Sequence, residues 1–201
     1  MKKIILSLGL LAGISATAQA QATFGLKAGA TLTNFMGDDV SDDSDNKLGF
    51  LVGGVANFAV NDMFSVQPEV LFSQKGAQSD AGDETAKFNL NYVDVPVMVK
   101  VSTGDNGSGL FFELGPQFGF LVSSKATLGD ESEDIEGLNK FDFGYAAGLG
   151  YQLEGGLNFG LRYNGGITNV YKEVDVLGTA VQAKARNSAF QLSVGYMFGG
   201  K

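Results

Sequence analysis

The sequence predicts an all-β fold, an eight-stranded antiparallel up-and-down barrel that spans a membrane. Three observations carry that prediction. Eight segments alternate apolar and polar residues with a period of two, as side chains do along a strand. All seven charged residues inside those segments fall on the polar face, which random placement would produce only about once in a hundred times for a two-sided strand. The links between segments alternate long and short.

Before the first strand, Lys2 and Lys3 precede an apolar stretch, Ile4 to Ile14, broken only by Ser7, Gly9 and Gly13. Ala18-Gln19-Ala20, or Ala16-Thr17-Ala18, supplies the small residues that a signal peptidase reads. About eleven apolar residues are too few for a membrane helix, which needs around twenty. We therefore expect a cleaved signal peptide over residues 1–20 and a barrel domain over residues 21–201. Cleavage removes two lysines and makes the formal charge of -8 more negative by two.

The first strand shows Phe24, Leu26, Ala28, Ala30 and Leu32 on one face, and a link from Met36 to Asn46 follows. The second carries Leu48, Phe50, Val52, Ala56 and Phe58 and turns tightly at Asn61-Asp62. The third carries Phe64, Val66, Val70 and Phe72; a long link is expected from Lys75 to about Asn91. Val93, Val95, Val97 and Val99 mark the fourth, before a shorter link over Ser102 to Gly109. Phe112, Leu114, Phe118 and Phe120 mark the fifth, before a long link from Ser123 to Lys140. The sixth shows Phe143, Tyr145, Ala147 and Leu149 and turns at Glu154-Gly155-Gly156. Leu157, Phe159, Leu161 and Tyr163 form the seventh, with a long link from Thr168 to Ser188. Phe190, Leu192, Val194, Tyr196 and Phe198 close the set.

Four long and three short links match an outer-membrane barrel, with short periplasmic turns, long outer loops and an even strand number. Strands of about 9 to 13 residues suffice to cross the bilayer. Pro68, Pro96 and Pro116 lie within strands, where each removes a ladder donor; β-bulges are expected there. The phase change before Tyr92 predicts a further irregularity.

The polar face carries Lys27, Glu69, Asp94, Lys100, Glu113, Asp142 and Arg162 among glycines such as Gly25, Gly29, Gly115, Gly119, Gly144 and Gly148. A soluble barrel would need a surface roughly a quarter to a third charged. Small residues with a few opposite charges suit instead the narrow interior of an eight-stranded barrel. The apolar face then meets lipid, and aromatics near strand ends form interfacial girdles.

Composition narrows the functions. A mean hydropathy of +0.07 is what alternation produces. Cys 0 and His 0 remove thiol nucleophiles, the commonest general base and the favoured zinc ligands. We expect neither enzymatic activity nor a cofactor. The acidic balance argues against a nucleic-acid partner.

Gln67-Pro68-Glu69-Val70, Ser73-Gln74-Lys75-Gly76 and Tyr92-Val93-Asp94-Val95-Pro96 resemble the PorT-like, or "porin family", outer-membrane barrels. Gly115-Pro116, Gly148-Leu149-Gly150-Tyr151, Arg162-Tyr163 and the closing Phe190 to Phe198 fit the same pattern, as does Phe24 to Gly29. The resemblance covers essentially the whole mature chain. It implies an eight-stranded barrel similar in architecture to OmpA and OmpX, located in a Gram-negative-type outer membrane. Its partners would be outer-membrane lipids and the barrel-assembly machinery that reads a terminal aromatic; here Phe198 precedes Gly199-Gly200-Lys201. The family takes its name from a member linked to protein export. Most members have no defined activity, so none is carried over.

Two constellations are candidates for function. The seven inward charges, three positive and four negative, most simply pair to avoid isolated buried charge; the alternative is a gated ion path. The acidic residues Asp38, Asp39, Asp42, Asp43 and Asp45, and Asp130, Glu131, Glu133, Asp134 and Glu136, read as solvated loop charge. A calcium loop over Asp43-Ser44-Asp45-Asn46 is broken at Lys47. The expected function is a membrane-structural barrel or a presenter of loops to an unidentified partner. The alternatives are a narrow porin, an accessory of a secretion apparatus, and a soluble periplasmic binding barrel.

Overall fold

The structure, a computed structural model, describes residues 22–40, 45–81, 84–104, 107–128, 131–176, 179–181 and 183–198. The signal-peptide expectation, Asp42, Asp130, and Asp43 and Ser44 of the candidate calcium loop lie outside these residues.

Eleven strands follow in chain order: β1 (Ala22–Met36), β2 (Lys47–Ala59), β3 (Phe64–Ala81), β4 (Glu84–Ser102), β5 (Gly109–Leu128), β6 (Glu131–Asp134), β7 (Phe141–Gln152), β8 (Leu157–Gly166), β9 (Val174–Val176), β10 (Thr179–Val181) and β11 (Arg186–Phe198). Eight of them close a ring, β1-β2-β3-β4-β5-β7-β8-β11 and back to β1, with every neighbour antiparallel. Short β6 extends the β5 edge, and β9 pairs with β10 as a separate hairpin.

Within the ring each strand is paired with a neighbour on both sides, which is the condition for sheet to cross a bilayer. Its outer face is the apolar one. Phe24, Leu26, Leu48, Leu114, Leu161 and Leu192 are exposed at 48–72%, and none of the apolar-face residues named above is buried. Aromatic pairs mark both ends. Phe50–Phe72, Phe120–Phe141 and Tyr163–Phe190 lie toward the long links, with Tyr196–Phe198 toward the short turns. At one short turn Asn61 Oδ1 accepts from Met63 N and Phe64 N, and at another Gly156 adopts φ 88°.

Three expectations need correction. The stretch from Lys75 to Asn91 is sheet rather than loop: β3 and β4 stay paired from Phe72↔Val93 out to Ala81↔Glu84. Likewise β5 continues past Ser123 to Leu128, giving a 20-residue strand. Beyond the apolar wall the outward face of a strand meets water instead of lipid while the inward face stays buried, as at Lys75, Ala77 and Leu90, so the apolar alternation that marks a lipid-facing strand disappears while the pairing persists. The prolines also behave differently from the expected bulges. Register is the same on either side of each, with the β2–β3 ladder interrupted at Gln67-Pro68, the β3–β4 ladder at Val95-Pro96 and the β4–β5 ladder at Gly115-Pro116. The register shift falls instead between Asn91 and Tyr92, where β5 carries Val122 as an extra residue opposite.

Candidate functional site

The interior is the place where this sequence concentrates unusual chemistry. All seven inward charges are buried, and Lys47 and Lys75 join them, giving five cations and four carboxylates. They divide into two layers along the barrel axis.

The layer nearer the short turns centres on Arg162 of β8. Its Nη1 and Nη2 donate to Glu69 Oε2 and Oε1, both at 2.8 Å, and its Nε donates to Glu113 Oε1 at 2.7 Å. Lys27 Nζ reaches the same Glu69 Oε1 at 2.7 Å, and Gln67 Nε2 donates to it at 2.8 Å. Strands β1, β3, β5 and β8 are thus tied across the lumen. The planar guanidinium suits this bidentate role as an ammonium does not. Glycine makes the crossing possible: a Cβ at Gly148 would lie 3.0 Å from Glu113 Oε1 and 3.2 Å from Arg162 Cα. Lys100 lies opposite Glu113 in the ladder, yet its Nζ donates to Gln152 Oε1 at 2.8 Å and sits 4.1 Å from the Phe111 ring centroid.

The second layer centres on Lys75 of β3. Its Nζ lies 2.9 Å from Asp94 Oδ1, 3.5 Å from Asp142 Oδ2 and 4.5 Å from the Tyr92 ring centroid. Asn187 Nδ2 donates to Asp142 Oδ2 at 3.0 Å and to the Tyr92 hydroxyl at 3.3 Å. Gln117 and Asn164 are hydrogen-bonded between the layers. Lys75 escaped the sequence reading because its surroundings resemble a polar loop; the signal that finds it is the continuation of the inward phase from Glu69, Leu71 and Ser73. Apolar side chains fill the remaining interior, among them Leu51, Leu71, Met98, Phe111 and Met197.

Two voids within the lumen measure about 10 Å³ each. A single water needs about that much room. Buried acceptors with no protein donor, Glu113 Oε2 and Asn187 Oδ1 among them, are positions suited to such waters.

The loop end is shut by a hydrophobic cap. Leu138 and Val170, from the links after β6 and β8, are buried against Leu90 and Tyr92, with Phe35, Leu121, Ile135 and Tyr171 packed around them. Backbone bonds from Asn139 N to Val170 O (2.8 Å) and Lys172 N to Gly137 O (2.9 Å) hold the two links together, and Val170 N to Ala185 O (2.7 Å) ties the start of the last link to its end. Burial raises the Tyr171 phenol above its ordinary value. The acidic residues stay outside: Glu131, Glu133, Asp134 and Glu136 are exposed, and Asp38 and Asp39 bind Lys184 of the last link. Among the described residues no carboxylate cluster could hold a metal ion.

A closed meander with a lipid-facing apolar wall and a charged, filled interior defines an integral outer-membrane β-barrel. Residues 17–172 match the family described as outer membrane protein beta-barrel domain, and the chain belongs to that family. No curated protein matches it. Among solved structures it is similar to Ail, the attachment invasion locus protein of Yersinia pestis, with a TM-score of 0.53 and 16% identity over 88% of this chain and 99% of that one. Ail bound to the heparin analogue sucrose octasulfate gives 0.50 and 16% over the same shares. Neisserial surface protein A gives 0.52 and 16%, again covering 88% and 99%. At this identity the likeness concerns the fold.

Proposed function

We propose that this protein is a non-conducting barrel of the PorT-like group, which works through its outer wall and its loop end rather than its lumen. The role is membrane-structural, or the presentation of loops to a surface partner. The observation that carries this reading is the pair of ion networks, Arg162 with Glu69, Glu113 and Lys27, and Lys75 with Asp94 and Asp142, which cross-link the lumen and leave voids of about 10 Å³. An eight-stranded barrel has little interior beyond its own side chains. The seven charges read from sequence, together with Lys47 and Lys75, serve structure in this proposal and not catalysis.

The partners in this reading are outer-membrane lipids, the barrel-assembly machinery and a loop ligand, with no nucleic acid and no cofactor. One similar protein is named for attachment and invasion and was crystallised with a heparin analogue, which supports the loop-ligand arm. Planar-bilayer recordings test the proposal: the purified protein should give no steady single-channel conductance. Large, steady conductance would replace it with the narrow-porin or secretion-accessory reading.

A further inference from the structure

Just beyond the outward pair Phe120 and Phe141, whose ring centroids lie 5.6 Å apart, strand β5 changes partners. Its ladder with β7 ends at Phe120↔Phe141, extended by one bond from Leu121 N to Lys140 O at 2.8 Å. Its ladder with β6 begins at Lys125↔Asp134, preceded by a bond from Ile135 N to Ser124 O at 3.1 Å. Between these points the link turns inward to bury Leu138, leaving Val122 and Ser123 without a strand beside them on this edge. The split is an open groove of about 420 Å³. That volume falls within the range of ligand sites, roughly 300–1,000 Å³.

The groove has a polarity. Val122, Ile135 and Leu138 line its apolar part, and Lys140 and Lys172 stand at its rim with Ser123 and Glu136. Both lysines are exposed, and among the described residues neither has an ion-pair partner. Lys172 is brought there by its own backbone bond to Gly137 O. Two unpaired ammonium groups beside an apolar cleft are out of keeping with a chain of net charge -8. Their height, directly above the aromatic pair that marks the edge of the apolar wall, is the height of lipid headgroups.

We infer that this groove seats the phosphorylated headgroup of an outer-leaflet glycolipid. Lys140 and Lys172 bind the phosphate, Glu136 and Ser123 meet sugar hydroxyls, and the acyl chains descend past Val122, Phe120 and Phe141. The inference rests on the proposed orientation, with the long links outward.

The test is native mass spectrometry of the purified full-length protein in micelles doped with bisphosphorylated lipid A. Wild type should retain one lipid. The double variant Lys140→Gln/Lys172→Gln should bind it roughly tenfold to thirtyfold more weakly, the weight of two lysines near a membrane surface. Lys125→Gln, an exposed lysine on β5 outside the groove lining, should bind as wild type does. Equal retention by wild type and the double variant would overturn the inference. So would equally tight binding of dephosphorylated lipid A, which leaves only an apolar groove, or full displacement by inorganic phosphate, which leaves a soluble-anion site. Micelles have no sidedness, so failure here leaves the orientation itself to protease accessibility on whole cells.

Discussion

Arg162 and Glu69 face each other across the barrel, on strands β8 and β3 that are separated around the ring by β11, β1 and β2, and meet through two parallel hydrogen bonds of 2.8 Å. Such a pair resists deformation of the ring in a direction that no backbone ladder controls. Both groups are buried, so removing one strands the other, at a cost of roughly 3 to 5 kcal/mol. Arg162→Ala and Glu69→Ala should each lower the unfolding free energy by about that amount. The double variant should cost less than the sum of the singles, because residues in one network are not additive. Equilibrium urea unfolding in lipid vesicles measures all three. Additive losses would mean that the contact contributes nothing beyond its separate parts.

Lys75 makes a sharper case, since the two descriptions of its surroundings differ in outcome. On a solvated loop, Lys75→Met would change stability by a few tenths of a kcal/mol, as exposed charges do. In the lumen it leaves Asp94 and Asp142 without their shared ammonium, and the loss should again be roughly 3 to 5 kcal/mol. Adding Asp94→Asn to Lys75→Met should recover part of it by removing one stranded charge. The readout is the temperature at which the fast-migrating folded band disappears on a detergent gel. An unchanged transition for Lys75→Met would return that residue to the loop.

What could be read in the sequence, and what could not, follows from where each residue meets its medium. Wherever one face of a strand touches lipid, alternation is strict, and Leu161, Leu192 and Val97 identify the wall without further help. The same phase carries Glu69, Asp94 and Arg162 inward. It could not show which carboxylate each cation meets, because closure brings together strands distant in sequence. Lys100 illustrates this: it lies beside Glu113 in the ladder, but Arg162 occupies the carboxylate and Lys100 turns to Gln152. Above the membrane the constraint on outward residues lapses, and Gly76, Gln78 and Ser79 read as loop although they continue β3. The extra residue at Val122 further shifts the phase of the segment that would have marked the β5 extension.

Substitutions on the wall separate inside from outside directly. Leu161 lies on the outer face near the middle of β8, opposite Leu149 and Leu192 on the neighbouring strands. Leu161→Arg and Val97→Arg should each cost roughly 2 to 4 kcal/mol as an arginine enters hydrocarbon. Val97→Ala, which removes only lipid contacts, should be nearly neutral by comparison. Gly119→Arg tests the other side: even a Cβ there lies 2.8 Å from Asp94 Oδ1, so the residue should fail through crowding. Refolding yields into vesicles report the series. Outward arginines tolerated as easily as Val97→Ala would invert the assignment of the two faces.

The cap over the loop end can be probed with a single introduced thiol, because the chain contains no cysteine. Ser73 is buried on β3, beside Tyr92 and beneath the apolar cluster, and Ser73→Cys changes one atom. A polar maleimide added to the folded protein should label this cysteine far more slowly than it labels the urea-unfolded chain. Leu138 and Val170 close the entrance from two different links, tied by the bonds between Asn139 and Val170 and between Lys172 and Gly137. Truncating both to alanine deletes buried apolar volume, and each such truncation in a packed site costs on the order of 2 kcal/mol or more. That loss falls mainly on the closed arrangement of the links, since the eight-stranded ring keeps its own ladder. Labelling of Ser73→Cys should therefore accelerate at least about tenfold in the Leu138→Ala/Val170→Ala background, while the folded gel band persists. Equal labelling rates with and without the cap would mean that the polar interior is sealed by the Lys75 layer alone.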